Sequence, residues 1–445
     1  MRYISCCVAY RLAGAGIAGA AAAVAAWFCL AGYSREFPGA GVAGIPTPVA
    51  TPAQQPEQPR RKYLILACDG GGVRGALTAR IVQKIEEELK KKTGEKFTLC
   101  KRVDCFAGTS TGGIIAIGLA CDKRPEELVA LYEKSGEKIF RKYDASDAKM
   151  TLGEKAIYNT TKTSLNGLNK LLDYLPKKLP LPSGWSDEAA TNLFFPRYDS
   201  SGLREVLEEA YKDEKTKTLA QLAPKRSVLV TTLRLGRRDE AWRPFMLHNL
   251  LSKDDPDDQD AKLGRETTIL DAALCTSAAP TYFAPHKHPK LGFCADGGVF
   301  ANNPGVAALS LACRAGQRID DVRVISVGTG SVTNYMKVPP WKFVDEKAGG
   351  TRCGMLAWLL PKGHDGVPAT PLITAMFDTG AAADEIYCKG ILAEKSYRRI
   401  QVRLEKNIDL DDAKAIPELI KVADNYFKTD AWIRDREWLL KNIVQ

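Results

Sequence analysis

Histidine is scarce in this sequence, four in 445 residues, and none of His248, His286, His288 or His364 sits in a glycine-rich or otherwise distinctive motif. The twelve cysteines form no Cys-x-x-Cys pair and have no histidine at ligand spacing, which removes the zinc signatures and leaves no metal site to argue for. No internal repeat recurs, which sets aside repeat architectures. No basic arm is present either. The 63 Lys and Arg against 53 Asp and Glu give a net charge of +10, but the excess is spread along the chain. Composition therefore makes no nucleic-acid case and allows only weak attraction to anionic surfaces such as membranes.

What is present is a globular composition, 45% hydrophobic and 26% charged, in a chain long enough to bury a large core. Residues 1–36 carry Arg2 and Arg11 and then an apolar stretch rich in Ala, Gly and Val. This stretch is long enough to span a bilayer though only marginally hydrophobic, and it reads as a signal peptide or a membrane anchor. Membrane association or export is the expectation. Residues 37–59 are Pro-, Ala- and Gly-rich with hardly any charge, a linker composition, so the folded domain is expected from about residue 60. Nine cysteines between Cys68 and Cys388 lie in or beside apolar runs and read as buried thiols, which suit a reducing compartment and so conflict with the leader.

Within the domain, the apolar run 63–68 ends in Asp-Gly-Gly-Gly and predicts a buried strand entering a tight turn. Helical spacing follows over 76–92, with Ile81, Ile85 and Leu89 on one face. A second strand is expected at 103–107 and a buried helix at 114–120, with further strands at 227–233 and 322–327. Strands alternating with helices argue for an α/β fold with a mainly parallel, helix-covered sheet. Proline- and lysine-rich sequence at 144–196 reads as a surface insertion, and the acidic cluster 254–260 as a solvated loop.

Three glycine motifs carry the chemistry. Gly108-Thr109-Ser110-Thr111-Gly112 has the Gly-x-Ser-x-Gly form between strand and helix, where small neighbours permit a strained turn that exposes Ser110 as a nucleophile. A helix N-terminus there also favours the oxyanion formed during attack. The Gly70-Gly71-Gly72-Val73-Arg74-Gly75 turn places several unhindered N–H groups at a strand end, where they can donate to that oxyanion. Its letters also fit a dinucleotide fingerprint, but the acidic residue that reading needs about twenty positions on would fall within a helix. Asp296-Gly297-Gly298 follows a short apolar run and precedes Asn302-Asn303-Pro304. A serine hydroxyl needs a base, and a carboxylate kept partly dry can serve. Ser110, Asp296 and His364 also stand in the chain order of a Ser-Asp-His triad, which stays open.

In this order the three motifs resemble the patatin-like phospholipase family. The stretch 276–283, Thr-Ser-Ala-Ala-Pro-Thr-Tyr-Phe, is similar to the family's sequence before its catalytic aspartate, and 324–330 to the strand and turn after it. The resemblance covers about 62–333. It implies a three-layer α/β/α fold, with a catalytic domain at 60–335 and a C-terminal extension of unknown role at 336–445. It further implies a Ser110–Asp296 dyad without histidine, an oxyanion hole from Gly70, Gly71, Gly72 and Arg74, and Gly75, Gly108, Gly112, Gly297 and Gly298 as motif glycines. No cofactor is required. The implied substrates are fatty acyl esters of phospholipids or neutral lipids, met at a membrane surface. Gly298 stands where many relatives have alanine, a change expected to be harmless. Two alternatives keep the same fold: a tethered lipid-binding or scaffold protein without turnover, and an acyltransferase using the same dyad.

Overall fold

The computed structural model describes residues 61–144, 194–222, 226–237, 240–252, 255, 257–332 and 371–444, with short pieces at 150, 155, 157–160, 162–163, 344–345 and 350–351. The leader, the linker, most of the 144–196 insertion and His364 lie outside the described residues. Among the described residues no helix is long and apolar enough to cross a membrane.

The strands of the main sheet are β1 (Tyr63–Cys68), β2 (Cys105–Gly108), β3 (Ser227–Gly236), β4 (Arg243–His248), β5 (His286–His288), β6 (Gly292–Asp296), β7 (Val322–Val327) and β8 (Tyr397–Ile400). The longer helices are α1 (Gly75–Thr93), α2 (Thr111–Ala120), α3 (Pro125–Ile139), α4 (Ser200–Ala210), α5 (Gln259–Glu266) and α6 (Ile269–Thr276), followed by α7 (Gly305–Arg314), α8 (Pro371–Ile391), α9 (Ile416–Tyr426) and α10 (Asp430–Ile443). One sheet runs β8-β7-β1-β2-β3-β6-β5, with β4 also on β3. Pairing from β8 through β3 is parallel, and β4, β6 and β5 add antiparallel neighbours. The fold is α/β with a mainly parallel sheet.

Why the central strands are continuous apolar runs follows from burial on both faces. Along β1, Leu64, Leu66 and Cys68 enter one core while Ile65 and Ala67 enter the other. The larger core takes the inner faces of α1, α2, α3, α4 and α6, and Ile81, Ile85 and Leu89 of α1 are fully buried in it, on the face the spacing implied. The smaller core lies under α7 and the end of α8, with Leu309, Ala312, Cys388 and Leu392. Helix α2 is apolar all round and all ten of its residues are buried, which places it at the centre of its layer.

The segment after 336, set apart in the sequence reading as an extension, supplies β8, whose Tyr397 to Ile400 pair in parallel with Val324 to Val327. Leu419, Ala423, Trp432, Leu439 and Ile443 of α9 and α10 belong to the larger core. Described residues of 371–444 are thus part of the same globule as the glycine motifs. The acidic stretch near 254–260 is structured at its end: Asp258 caps α5, and Asp260 forms an ion pair with Arg243. All eight cysteines among the described residues are free thiols, six of them buried.

Candidate active site

Ser110 sits between β2 and α2 with φ 54° and ψ −124°, in the left-handed region that side chains other than glycine rarely adopt. The turn closes only because its flanks are glycine. A Cβ on Gly108 would stand 2.1 Å from the Gly112 carbonyl oxygen, and one on Gly112 would stand 2.1 Å from that of Cys68. The Ser110 amide donates to Thr276 Oγ1 at 2.9 Å, and Thr109 Oγ1 donates to the Ala301 carbonyl at 2.6 Å. The elbow is therefore fixed from two sides.

Asp296 ends β6 beside Thr232 of β3 and is fully buried. Its amide donates to the Ala278 carbonyl at 2.9 Å, and Oδ1 accepts from the Gly298 amide at 2.7 Å. Oδ2 is buried and accepts no hydrogen bond among the described residues. Burial pushes the Asp296 pKa up to about 7, although the Ser110 hydroxyl beside it and the Gly298 N–H both draw it down. The fold has brought the two chain-distant residues together and left one carboxylate oxygen with unused accepting capacity.

The glycine turn divides its work differently from the expectation. Gly70 cannot donate to an oxyanion, because its amide is committed to the Asn302 carbonyl at 3.0 Å. Its own carbonyl accepts from Asn302 Nδ2 at 3.2 Å and Thr329 Oγ1 at 3.1 Å. Gly70 is an anchor. The amides of Gly71 and Gly72 donate to no acceptor among the described residues and remain available. Gly72 has φ +56°, and a Cβ there would meet the Leu410 carbonyl oxygen at 2.0 Å. Ser110 Cβ lies 3.2 Å from where a Gly70 Cβ would stand, so serine and turn are in contact. The Arg74 side chain is buried with Nη2 3.7 Å from Asp378 of α8, and it is not among the residues lining the slot at Ser110. The motif glycines Gly75 and Gly297 give close approach, to Thr111 Oγ1 and Thr231 Oγ1 respectively.

Several participants carried no motif. Arg399 of β8 grips Asp69, the residue before the glycine turn, with both terminal nitrogens, Nη1 to Oδ1 at 2.7 Å, and also donates to Ser326 Oγ at 2.8 Å. Both side chains are nearly fully buried. Phe377 of α8 lines the slot, and a Cβ on Gly298 would stand 2.9 Å from its Cζ. Gly298 therefore packs closely against the tip of Phe377, which would have to shift for an alanine. Asp69 and Gly298 stood in glycine motifs and Asn302 in its Asn-Asn-Pro turn, whereas Arg399 and Phe377 had no local signal.

The slot itself is apolar, with Ile114, Tyr132, Ile139, Phe140 and Leu410 among its walls. None of the described histidines lines it. Burial lowers the His248 pKa to about 4, His286 Nε2 meets Asp271 Oδ1 at 2.9 Å, and His288 Nδ1 accepts the amides of Lys290 and Leu291. Among the described residues no cluster of three or more His, Cys, Asp or Glu could hold a metal ion.

Residues 66–309, more than half of the chain, match the family described as patatin-like phospholipase. A protein of Vibrio cholerae named cGAMP-activated phospholipase is 28% identical over 283 residues, 61% of this chain and 66% of its own length. One of the same name from Escherichia coli is 31% identical over 247 residues, 55% of this chain and 54% of its own. Patatin-like protein 2 of Arabidopsis thaliana is 26% identical over 396 residues, 82% of either chain. The match thus spans about two thirds or less of the bacterial relatives.

Proposed function

The chain belongs to the patatin-like phospholipase family, and from that premise we propose that it hydrolyses fatty acyl esters of lipids with Ser110 as nucleophile and Asp296 as base. One observation carries this reading: a serine on a strained elbow stands beside a buried carboxylate whose pKa is about 7 and whose Oδ2 is unengaged. Ser110 Oγ attacks the ester carbonyl carbon and gives its proton to Asp296. Negative charge gathers on the former carbonyl oxygen, where the Gly71 and Gly72 N–H groups and the α2 N-terminus stabilise it. Collapse breaks the ester C–O bond, and the leaving alcohol takes the proton from Asp296. Water then gives a proton to Asp296 as its oxygen bonds the acyl carbon, the bond from that carbon to Ser110 Oγ breaks, and Asp296 returns the proton to Oγ as the fatty acid leaves.

An apolar slot at the nucleophile suits an acyl chain, and the spread of positive charge favours anionic lipid surfaces. Carriage of the domain to a membrane by residues 1–36 belongs to the same reading. The test is acyl release from mixed phospholipid vesicles by the full chain beside Ser110→Ala. Because two relatives are named for activation by cGAMP, each assay is run with and without it. Release by wild type and none by the variant is expected. A fully active Ser110→Ala ends the reading, and lipid binding without release of any acyl group by the folded wild type favours the binding protein instead. Added alcohol or lysolipid that collects the acyl group in place of water would make the enzyme a transferase.

A further inference from the structure

The slot beside Ser110 is small, about 40 Å³, room for only a few water molecules. Its walls include Leu203 of α4 and Phe283, both buried. The same two side chains also form a wall of a second, solvent-open cavity of about 270 Å³, lined by Leu274, Ala278, Ala284 and Pro285 together with Ser200, Arg204, His286 and Lys287. Leu203 and Phe283 are therefore the partition between a space too small for a long acyl chain and a larger space beyond it, apolar on the Leu274, Ala278 and Pro285 side and open to water past Lys287.

The partition is held firmly. Thr281, two residues before Phe283, has φ 72° and its carbonyl accepts the Arg197 amide at 3.1 Å. The Tyr198 amide bonds the Tyr282 carbonyl at 2.9 Å, and Tyr198 Oη donates to Asp411 Oδ2 at 2.6 Å. The Phe283 ring packs at 5.8 Å from Phe140 and 5.9 Å from Tyr198, centroid to centroid. A ring fixed by backbone strain, hydrogen bonds and aromatic neighbours is a stop rather than a loose plug.

Resting on the acyl hydrolase reading, we propose that Leu203 and Phe283 are the specificity-determining residues that limit acyl chain length, and that the second cavity is a latent extension of the acyl subsite. The chain of the Ser110 ester runs down the slot and ends at this partition. Removing the ring joins the two cavities and gives a longer chain apolar surface to bury, worth about fourfold in kcat/KM per added methylene accommodated.

The experiment measures kcat/KM on p-nitrophenyl butyrate, octanoate and palmitate for the full chain as wild type, Phe283→Ala, Phe283→Leu and Phe283→Ala/Ala284→Phe. Wild type is expected to favour the shorter esters. Phe283→Ala should raise the long-to-short ratio by about tenfold or more, Phe283→Leu less in the same direction, and Ala284→Phe should refill the cavity and bring the ratio back. The leucine variant keeps the test valid should the alanine variant not fold. A folded Phe283 variant with an unchanged ratio overturns the inference while leaving the hydrolase reading intact. Turnover of none of the esters by wild type overturns the hydrolase reading, and the inference with it.

Discussion

Two aspartates at the ends of two strands of one sheet have opposite lives. Asp69 follows β1 and Asp296 closes β6, and both are essentially excluded from solvent. Asp69 has both oxygens on the Arg399 guanidinium, whereas Asp296 has the Gly298 amide on one oxygen and no charged partner, only the neutral Ser110 hydroxyl beside it. A buried carboxylate with a charged partner is a strut, since its charge is used up in holding two segments together. One left without a charged partner is held near neutral pH between its two protonation states, which is what a proton acceptor requires. The difference lies in the partners, not in burial.

Breaking the chemical side of the comparison should give the largest effects. Ser110→Ala and Asp296→Asn should each lower kcat/KM for ester cleavage by about a thousandfold or more, with circular dichroism unchanged. Breaking the strut should act on stability first. Arg399→Met leaves Asp69 buried without its cation and should destabilise the fold by about 3–5 kcal/mol in urea unfolding. Because Asp69 leads into Gly71 and Gly72, folded Arg399→Met should also lose kcat more than it raises KM, and Arg399→Lys should recover part of both. Equal loss of stability from Asp69→Asn, Arg399→Met and their combination would identify one coupled pair.

Asp296→Asn sharpens the contrast. The Asp296 pKa in the folded protein, about 7, lies above its ordinary 3.8, so the protonated form is favoured on folding. Its ionisation lowers stability progressively as pH rises from about 4 to 7 and does so fully above that. The inactive Asp296→Asn should therefore be more stable to urea than wild type at pH 8, by on the order of a few kcal/mol, with the gain fading towards pH 4. For the same reason wild-type activity should rise with pH through about 7. The smallest effect is expected at the edge of the site. Gly298→Ala should destabilise by about 1–3 kcal/mol because its Cβ meets Phe377, and a Phe377→Leu background should relieve it.

How much of this the sequence disclosed follows from the range of each interaction. Runs such as 63–68 and 322–327 are apolar throughout because both faces of a central strand are buried, so they were readable locally. Gly108 and Gly112 were readable because a turn that admits no Cβ leaves only one residue type possible. Strand β8 was not, since Tyr-Arg-Arg-Ile looks like surface: Arg398 reaches Asp435, and Arg399 reaches a residue 330 positions away. The hydrogen-bonding of Gly70 is hidden from the sequence for a related cause. Which amides of a glycine turn stay free depends on Asn302, whose approach no local pattern encodes. The space at Gly298 depends likewise on a helix that begins at Pro371.

The most direct test of the contrast between strut and base compares Asp296→Asn with His364→Ala on the same ester, each checked for folding. The dyad account expects Asp296→Asn to be inactive and His364→Ala to turn over at the wild-type rate. A folded His364→Ala as inactive as Ser110→Ala would contradict it and make a histidine the base.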